Sequence, residues 1–172
     1  VVDHLDGTRP YFPSSPWGYG DIGNTQSSGD CHCNSYQKAM ISPYNKDGLG
    51  VENFRDVLKT FDLAMASEIA VQGAPTLSSL RKYIPEDKLW PLNETYNLHF
   101  MRNPYDGTGK WFPEIQLEVA EQTFGKIDNV EDFCKKSSTF HSELLRADCD
   151  YHKTNIGRCS GTMNWMFNDI WP

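Results

Sequence analysis

The stretch from Phe61 to Gly73, FDLAMASEIAVQG, constrains this chain more than any other. Phe61, Leu63, Ala64, Met65, Ala66, Ile69, Ala70 and Val71 make a nearly continuous apolar run. That is the pattern of a strand covered on both faces, not of one with a solvated side. Glu68 interrupts the run. An ionised carboxylate in apolar surroundings is costly unless something pairs with it, so Glu68 is expected either at an exposed strand end or kept for chemistry. These residues alone favour a strand-end glutamate that reaches water.

A chain of 172 residues can bury one good core and is expected to fold as a single unit. No apolar run approaches the ~20 residues of a spanning helix. The 16 basic and 23 acidic residues give a net charge of −7 without a Lys/Arg cluster, which argues against nucleic acid or an anionic membrane as partner. Five cysteines, Cys31, Cys33, Cys134, Cys149 and Cys159, are an odd number and cannot all pair. A reducing, cytoplasmic compartment is the simpler expectation. Because the first residue is Val1, a natural start further upstream stays open. Cys31-His32-Cys33 lacks a second matching pair, and on a strand His32 faces away from both cysteines, so no metal or other cofactor is expected there.

Residues 1 to 30 are dense in turn chemistry, with Pro10 to Pro13 a short strand candidate and Ser14-Ser15-Pro16-Trp17 an ordered loop displaying Trp17. A strand is expected over Asp30 to Tyr36. A helix follows over Val51 to Thr60, where Val51, Phe54, Val57 and Leu58 share a face. Strand, loop, helix, strand is a βα order and favours a parallel sheet, hence an α/β fold. Thr76 caps a compact helix, TLSSLRKYI, that Pro85 stops. Residues 86 to 111 run aromatic and irregular, as a loop over a site does. Pro113 to Phe124 and Asp128 to Lys153 are expected as helices separated by Gly125. In the second, Val130, Phe133, Cys134, Phe140, Leu144, Leu145, Cys149 and His152 follow helical spacing, Asp128 and Glu131 form the capping pair, and Gly157 ends it. An apolar, aromatic strand closes the chain from Ser160.

That last segment, SGTMNWMFNDIWP, resembles the final barrel-strand motif of glycoside hydrolase family two, in the branch of the β-mannosidases and exo-β-glucosaminidases. Other landmarks follow in the family's order. They are DGTRPYFPSSP from Asp6, GDCHC from Gly29, SEIAVQGAPTLSSL from Ser67, which is similar to the family's nucleophile strand, and LWPLNETYNLHFMRNPYD from Leu89. The resemblance covers essentially the whole chain. It implies a TIM barrel and a retaining mechanism, in which one Glu attacks the anomeric carbon and a second, ~5–5.5 Å away, protonates the leaving oxygen. Glu68 matches the nucleophile, at the seventh strand, and this overturns the expectation drawn from the run alone.

In the family the acid/base Glu follows an Asn and precedes the TRPYFPSSP segment, which places it upstream of Val1. Asn93-Glu94 lies after the nucleophile, and Glu94 is expected to be a structural loop carboxylate. The resemblance thus implies a partial barrel, strands five to eight with their helices. A whole barrel takes ~250 residues, at least ~200, and four strand candidates are present here. Half a barrel leaves open sheet edges, so association with the missing half, or self-association, is expected. By the same resemblance Trp165 stacks on a sugar ring or packs in the core, and Asn168 and Asp169 bind the sugar or hold the barrel mouth. His32 lies near the nucleophile, while Trp17 lines the pocket or anchors its loop. Cys33 and Asn34 stand where relatives have an aromatic after the His, and Ile69-Ala70 where many have aromatic-Gly. Two functions are compatible with this: part of an exo-acting β-glycosidase cleaving a β-mannoside or glucosaminide, or a non-catalytic sugar-binding or assembly piece.

Overall fold

A computed structural model of the chain describes residues 2–9, 11, 13–18, 29–33, 51–60, 62–70, 73–100, 110–167 and 171. In chain order these form helix α1 (Val2–Leu5), strand β1 (Cys31–Cys33), helix α2 (Val51–Leu58), strand β2 (Ala66–Ala70), helix α3 (Leu77–Leu80), a 3-10 turn (Glu86–Lys88), helix α4 (Glu94–Asn97), helix α5 (Phe112–Phe124), helix α6 (Val130–Thr154) and strand β3 (Thr162–Trp165). The strands make one three-stranded sheet in the order β1-β2-β3, with both pairings parallel. Of the Pro10 to Pro13 strand candidate, Tyr11 and Pro13 are described and lie in no strand. The expected strand after Asp30 is observed as Cys31–Cys33, and residues 34–36 lie outside the described residues.

Helices α2, α5 and α6 cover the sheet. Phe54 and Leu58 of α2, Phe112, Ile115 and Val119 of α5, and Phe140, Leu144 and Ala147 of α6 are buried in one cluster with Cys31, Ala66 and Ile69 of the strands. Truncating one of these large side chains to Ala would cost about 3–5 kcal/mol for a Phe and 2–5 for a Leu, because the close-packed site collapses only partly. In a second cluster, residues from Ala74 to Tyr96 pack on the end of α5 and the start of α6, with Leu80, Ile84, Leu89, Tyr96 and Phe133 buried together. The Tyr96 hydroxyl donates to Leu89 O at 2.7 Å. The described part of the aromatic stretch, residues 86–100, is thus partly regular and well packed, and residues 101–109 lie outside the described residues. Asn93 caps α4, accepting from Thr95 N at 3.0 Å, and Glu94 is an exposed first-turn residue of that helix. Burial pushes the Cys134 thiol up to about 11 and keeps it protonated.

Two details of α6 differ from the sequence expectation. Its cap is Asn129, whose side chain accepts from Asp132 N at 2.8 Å, and not Asp128 with Glu131. Such a cap contributes about 1 kcal/mol. Cys149 is exposed, because it lies about two and a half turns beyond Phe140 and so on the opposite side of the helix. Asp148 takes the inward place, with Oδ1 3.3 Å from buried His152 Nε2 and Oδ2 accepting from Thr162 Oγ1 at 3.1 Å. Cys159 Sγ lies 3.3 Å from His152 Nδ1, so the end of α6 is tied to the start of β3. Cys31, Cys134, Cys149 and Cys159 are all free thiols. No helix among the described residues is long and apolar enough to cross a membrane.

β2 departs from regular pleating. Cys31 is level with Ala66 but His32 is level with Glu68, and on the other side Ala66 and Ile69 face Thr162 and Asn164. One extra residue is therefore inserted in β2, a β-bulge. Strict alternation would put Ala66 and Glu68 on one face. With the bulge, Ala66 and Ile69 are both buried against the helices, while Ser67 and Glu68 stay half-buried.

Candidate active site

Glu68 is the third residue of β2 and His32 the second of β1, and the register sets them side by side. His32 Nδ1 is 3.4 Å from Glu68 Oε2, with the two side chains 25% and 29% exposed. Water reaches both, and the neighbouring imidazole gives the carboxylate a partner. This resolves the cost of a charge within an apolar strand.

Behind His32 lies a cluster that sequence inspection does not single out. The loop before Trp17 brings Ser15 Oγ to 2.6 Å from Asp30 Oδ2, 3.1 Å from His32 Nε2 and 3.2 Å from Ser67 Oγ. Trp17 N–H donates to Asp30 Oδ1, and Asp30 N–H donates to Trp17 O at 2.8 Å. Burial acts to raise the Asp30 carboxyl. Hydrogen bonds from the Ser15 and Ser67 hydroxyls and from the backbone N–H groups of Trp17 and Asp30 together outweigh it, and hold its pKa below the ordinary 3.8. Gly29 makes the loop closure possible: its φ is +73°, and a Cβ there would lie 1.7 Å from Trp17 O. Asp30 follows a glycine and precedes the strand, a plain turn signal. Only the closure of the 13–18 loop onto it shows that Asp30 is a hub.

The other expected site residues fall in different places. Trp165 ends β3 opposite Ala70 and is 47% exposed, so it is a surface aromatic and not a core one. Met163, Met166 and Phe167 are exposed beside it. Trp17 is half-buried, and its backbone anchors the loop to Asp30. Asn168 and Asp169 lie outside the described residues. Cys31 is buried on the helix side while His32 is not, and among the described residues no group of three or more His, Cys, Asp or Glu side chains is placed to hold a metal ion.

No family model matches the chain. Along its whole length it is similar to the β-mannosidase B of Thermothelomyces thermophilus, with 25% identity over 181 aligned positions, and to the β-mannosidase B of Aspergillus niger, with 22% over 176. The chain spans 19% of the length of each of these relatives. The likeness supports a relationship to glycoside hydrolases.

Proposed function

We propose that this chain contributes Glu68 as the nucleophile of a retaining, exo-acting β-glycosidase, with β-mannosides the leading substrate and glucosaminides the alternative. The observation that carries the reading is the place of Glu68, half-exposed beside His32 on a parallel strand backed by helices, in a chain similar throughout to two β-mannosidases. A carboxylate open to water on one side and steadied by an imidazole on the other suits attack on an anomeric carbon. Trp165 would supply a flat apolar face for the pyranose ring.

The acid/base is assigned to residues outside this chain. Asp30 belongs to the same cluster, but its hydrogen bonds hold it ionised, the wrong state for protonating a leaving group. The three sequential parallel strands fit strands six to eight of the proposed partial barrel, strands five to eight of the whole. β1 and β3 are the edges of the described sheet, and the missing barrel half, or a second copy of the chain, is proposed to complete them. The same state of Asp30 favours the second reading, a non-catalytic sugar-binding or assembly piece.

Hydrolysis of an aryl β-mannoside by this chain, alone and extended upstream, separates the two. The extended protein is expected to turn over and to lose activity with Glu68→Gln. Trapping with an activated 2-fluoro mannoside should add one sugar to the peptide bearing Glu68. Normal turnover by the Glu68→Gln protein would refute the assignment.

A further inference from the structure

We propose that Asn93-Glu94-Thr95 is a folding-gated N-glycosylation site: its amide accepts an oligosaccharide in the unfolded chain, and the native fold closes it by using both amide protons to staple Lys88 and Pro91 to α4. The triplet has the Asn-x-Thr pattern of an acceptor and is the only Asn-x-Ser/Thr triplet in the sequence. Neither Glu68 nor sugar hydrolysis enters into it.

An ordinary acceptor stands on an open surface loop. Asn93 does not: it is half-buried at the N-cap of α4, with its side chain engaged on both sides. Nδ2 donates to Lys88 O at 2.8 Å and to Pro91 O at 2.8 Å, while Oδ1 accepts from Thr95 N at 3.0 Å. A side-chain amide has two N–H groups, so two carbonyl partners exhaust them. The same three partners fix which way the amide faces. Turned over, its oxygen would meet two carbonyl oxygens and its NH2 group an N–H donor, and every contact would be repulsive.

Glycosylation forms a bond from Nδ2 to C1 of the sugar, breaks the C1–O bond to the lipid diphosphate that carries the oligosaccharide, and releases one amide proton. That proton is one of the two held by Lys88 O and Pro91 O. An N–C bond of about 1.5 Å laid along a 2.8 Å hydrogen bond would set C1 about 1.3 Å from a carbonyl oxygen, far inside van der Waals contact. A glycan-bearing Asn93 therefore cannot take its native position. What it leaves uncapped is a helix of a single turn, Glu94–Asn97, too short to persist alone. Tyr96 of that turn is buried with Leu80, Leu89 and Phe133 and donates to Leu89 O at 2.7 Å, so opening the cap loosens the second core cluster. Sugar transfer and the native turn exclude each other.

The test is expression of the chain behind a cleavable signal peptide in a yeast, with soluble folded chain separated from aggregates by gel filtration and each fraction treated with peptide N-glycosidase. With a single acceptor triplet in the sequence, any loss of mass reports Asn93. Glycan is expected on the aggregated chain and not on the folded chain. Thr95→Ala removes the acceptor pattern and leaves the Asn93 side chain in place, so it should raise the folded yield. A second variant, Asn93→Asp, made in a bacterium and free of glycan, keeps the bond from Thr95 N but loses both donors. Trypsin should cut it after the exposed Lys88 about tenfold faster than the wild type, as loss of two hydrogen bonds implies. Glycan on the folded fraction, glycan on neither fraction, or unchanged cleavage of Asn93→Asp overturns the proposal.

Discussion

Asp148 and His152 lie one turn apart on α6, both buried, with Oδ1 3.3 Å from Nε2. Thr162 at the start of β3 donates to the other carboxylate oxygen, and Cys159 approaches the other imidazole nitrogen. Oδ1 and Nε2 are in contact without hydrogen-bond geometry, and the bond that removal of the carboxylate breaks is the one from Thr162, at a cost of about 1–3 kcal/mol for the buried polar groups left behind. Asp148→Ala is therefore expected to lose about that much in urea unfolding, and Cys149→Ala, one residue further along on the exposed side, less than about 0.5. Equal effects of the two substitutions would show that the pair does not tie α6 to β3.

Gly29 connects the 13–18 loop to β1 with φ +73° and with Trp17 O where a Cβ would stand. Gly29→Ala should cost more than about 1 kcal/mol of stability. Because the strain falls on the Trp17 and Asp30 contacts, the indole environment should change as well. Near-ultraviolet circular dichroism reads this directly, and an unaltered spectrum with wild-type stability would contradict the clamp.

His141 packs on Gly73, where an added Cβ would lie 2.7 Å from Nδ1, and burial holds its pKa below the ordinary 6.5. The sign follows from which state binds the proton more readily. The unfolded chain protonates near 6.5 and the folded one only at lower pH, so this group's contribution is whole above that value and declines as the pH falls towards the folded pKa. From about pH 7.5 to about pH 5, the wild-type protein should lose more stability than His141→Gln does. Identical pH dependence in guanidinium melts of the two proteins would remove His141 as a cause.

Glu68→Gln should leave stability within about 1 kcal/mol, since the pair it forms with His32 is 25% and 29% exposed and screened. On the proposed nucleophile role, the same change in the upstream-extended protein should lower kcat for an aryl β-mannoside by on the order of 10^4 or more. A large loss of stability with little loss of turnover would make Glu68 a structural residue.

Helices α2, α3, α5 and α6 are legible from the residues, because their signals are local, whereas the single-turn helices α1 and α4 fall in stretches that read as turn and loop. Thr76 caps α3, accepting from Ser79 N, and Phe54 and Leu58 are buried on the face their spacing implies. α5 and α6 begin and end within two residues of the expected limits. Residue order and structure part where neighbours compete. Asn129 outdoes Asp128 as cap, and Cys149 is apolar in character but carried outward by the helical turn. Residues 86–100 read as open loop because their packing partner, the start of α6, is distant in sequence.

The order of residues by itself determined the βα alternation, the Thr76 cap and the apolar run with one carboxylate in it, since each depends on contacts within a few residues. Which face that carboxylate takes was decided only by the tertiary structure. The bulge in β2 is a compromise between two neighbouring strands, and it buries Ala66 and Ile69 together while leaving Glu68 beside His32. The Ser15 and Asp30 cluster is likewise a product of folding, because its hydroxyls and carboxylate are brought within hydrogen-bond distance by a loop closing on the end of a strand.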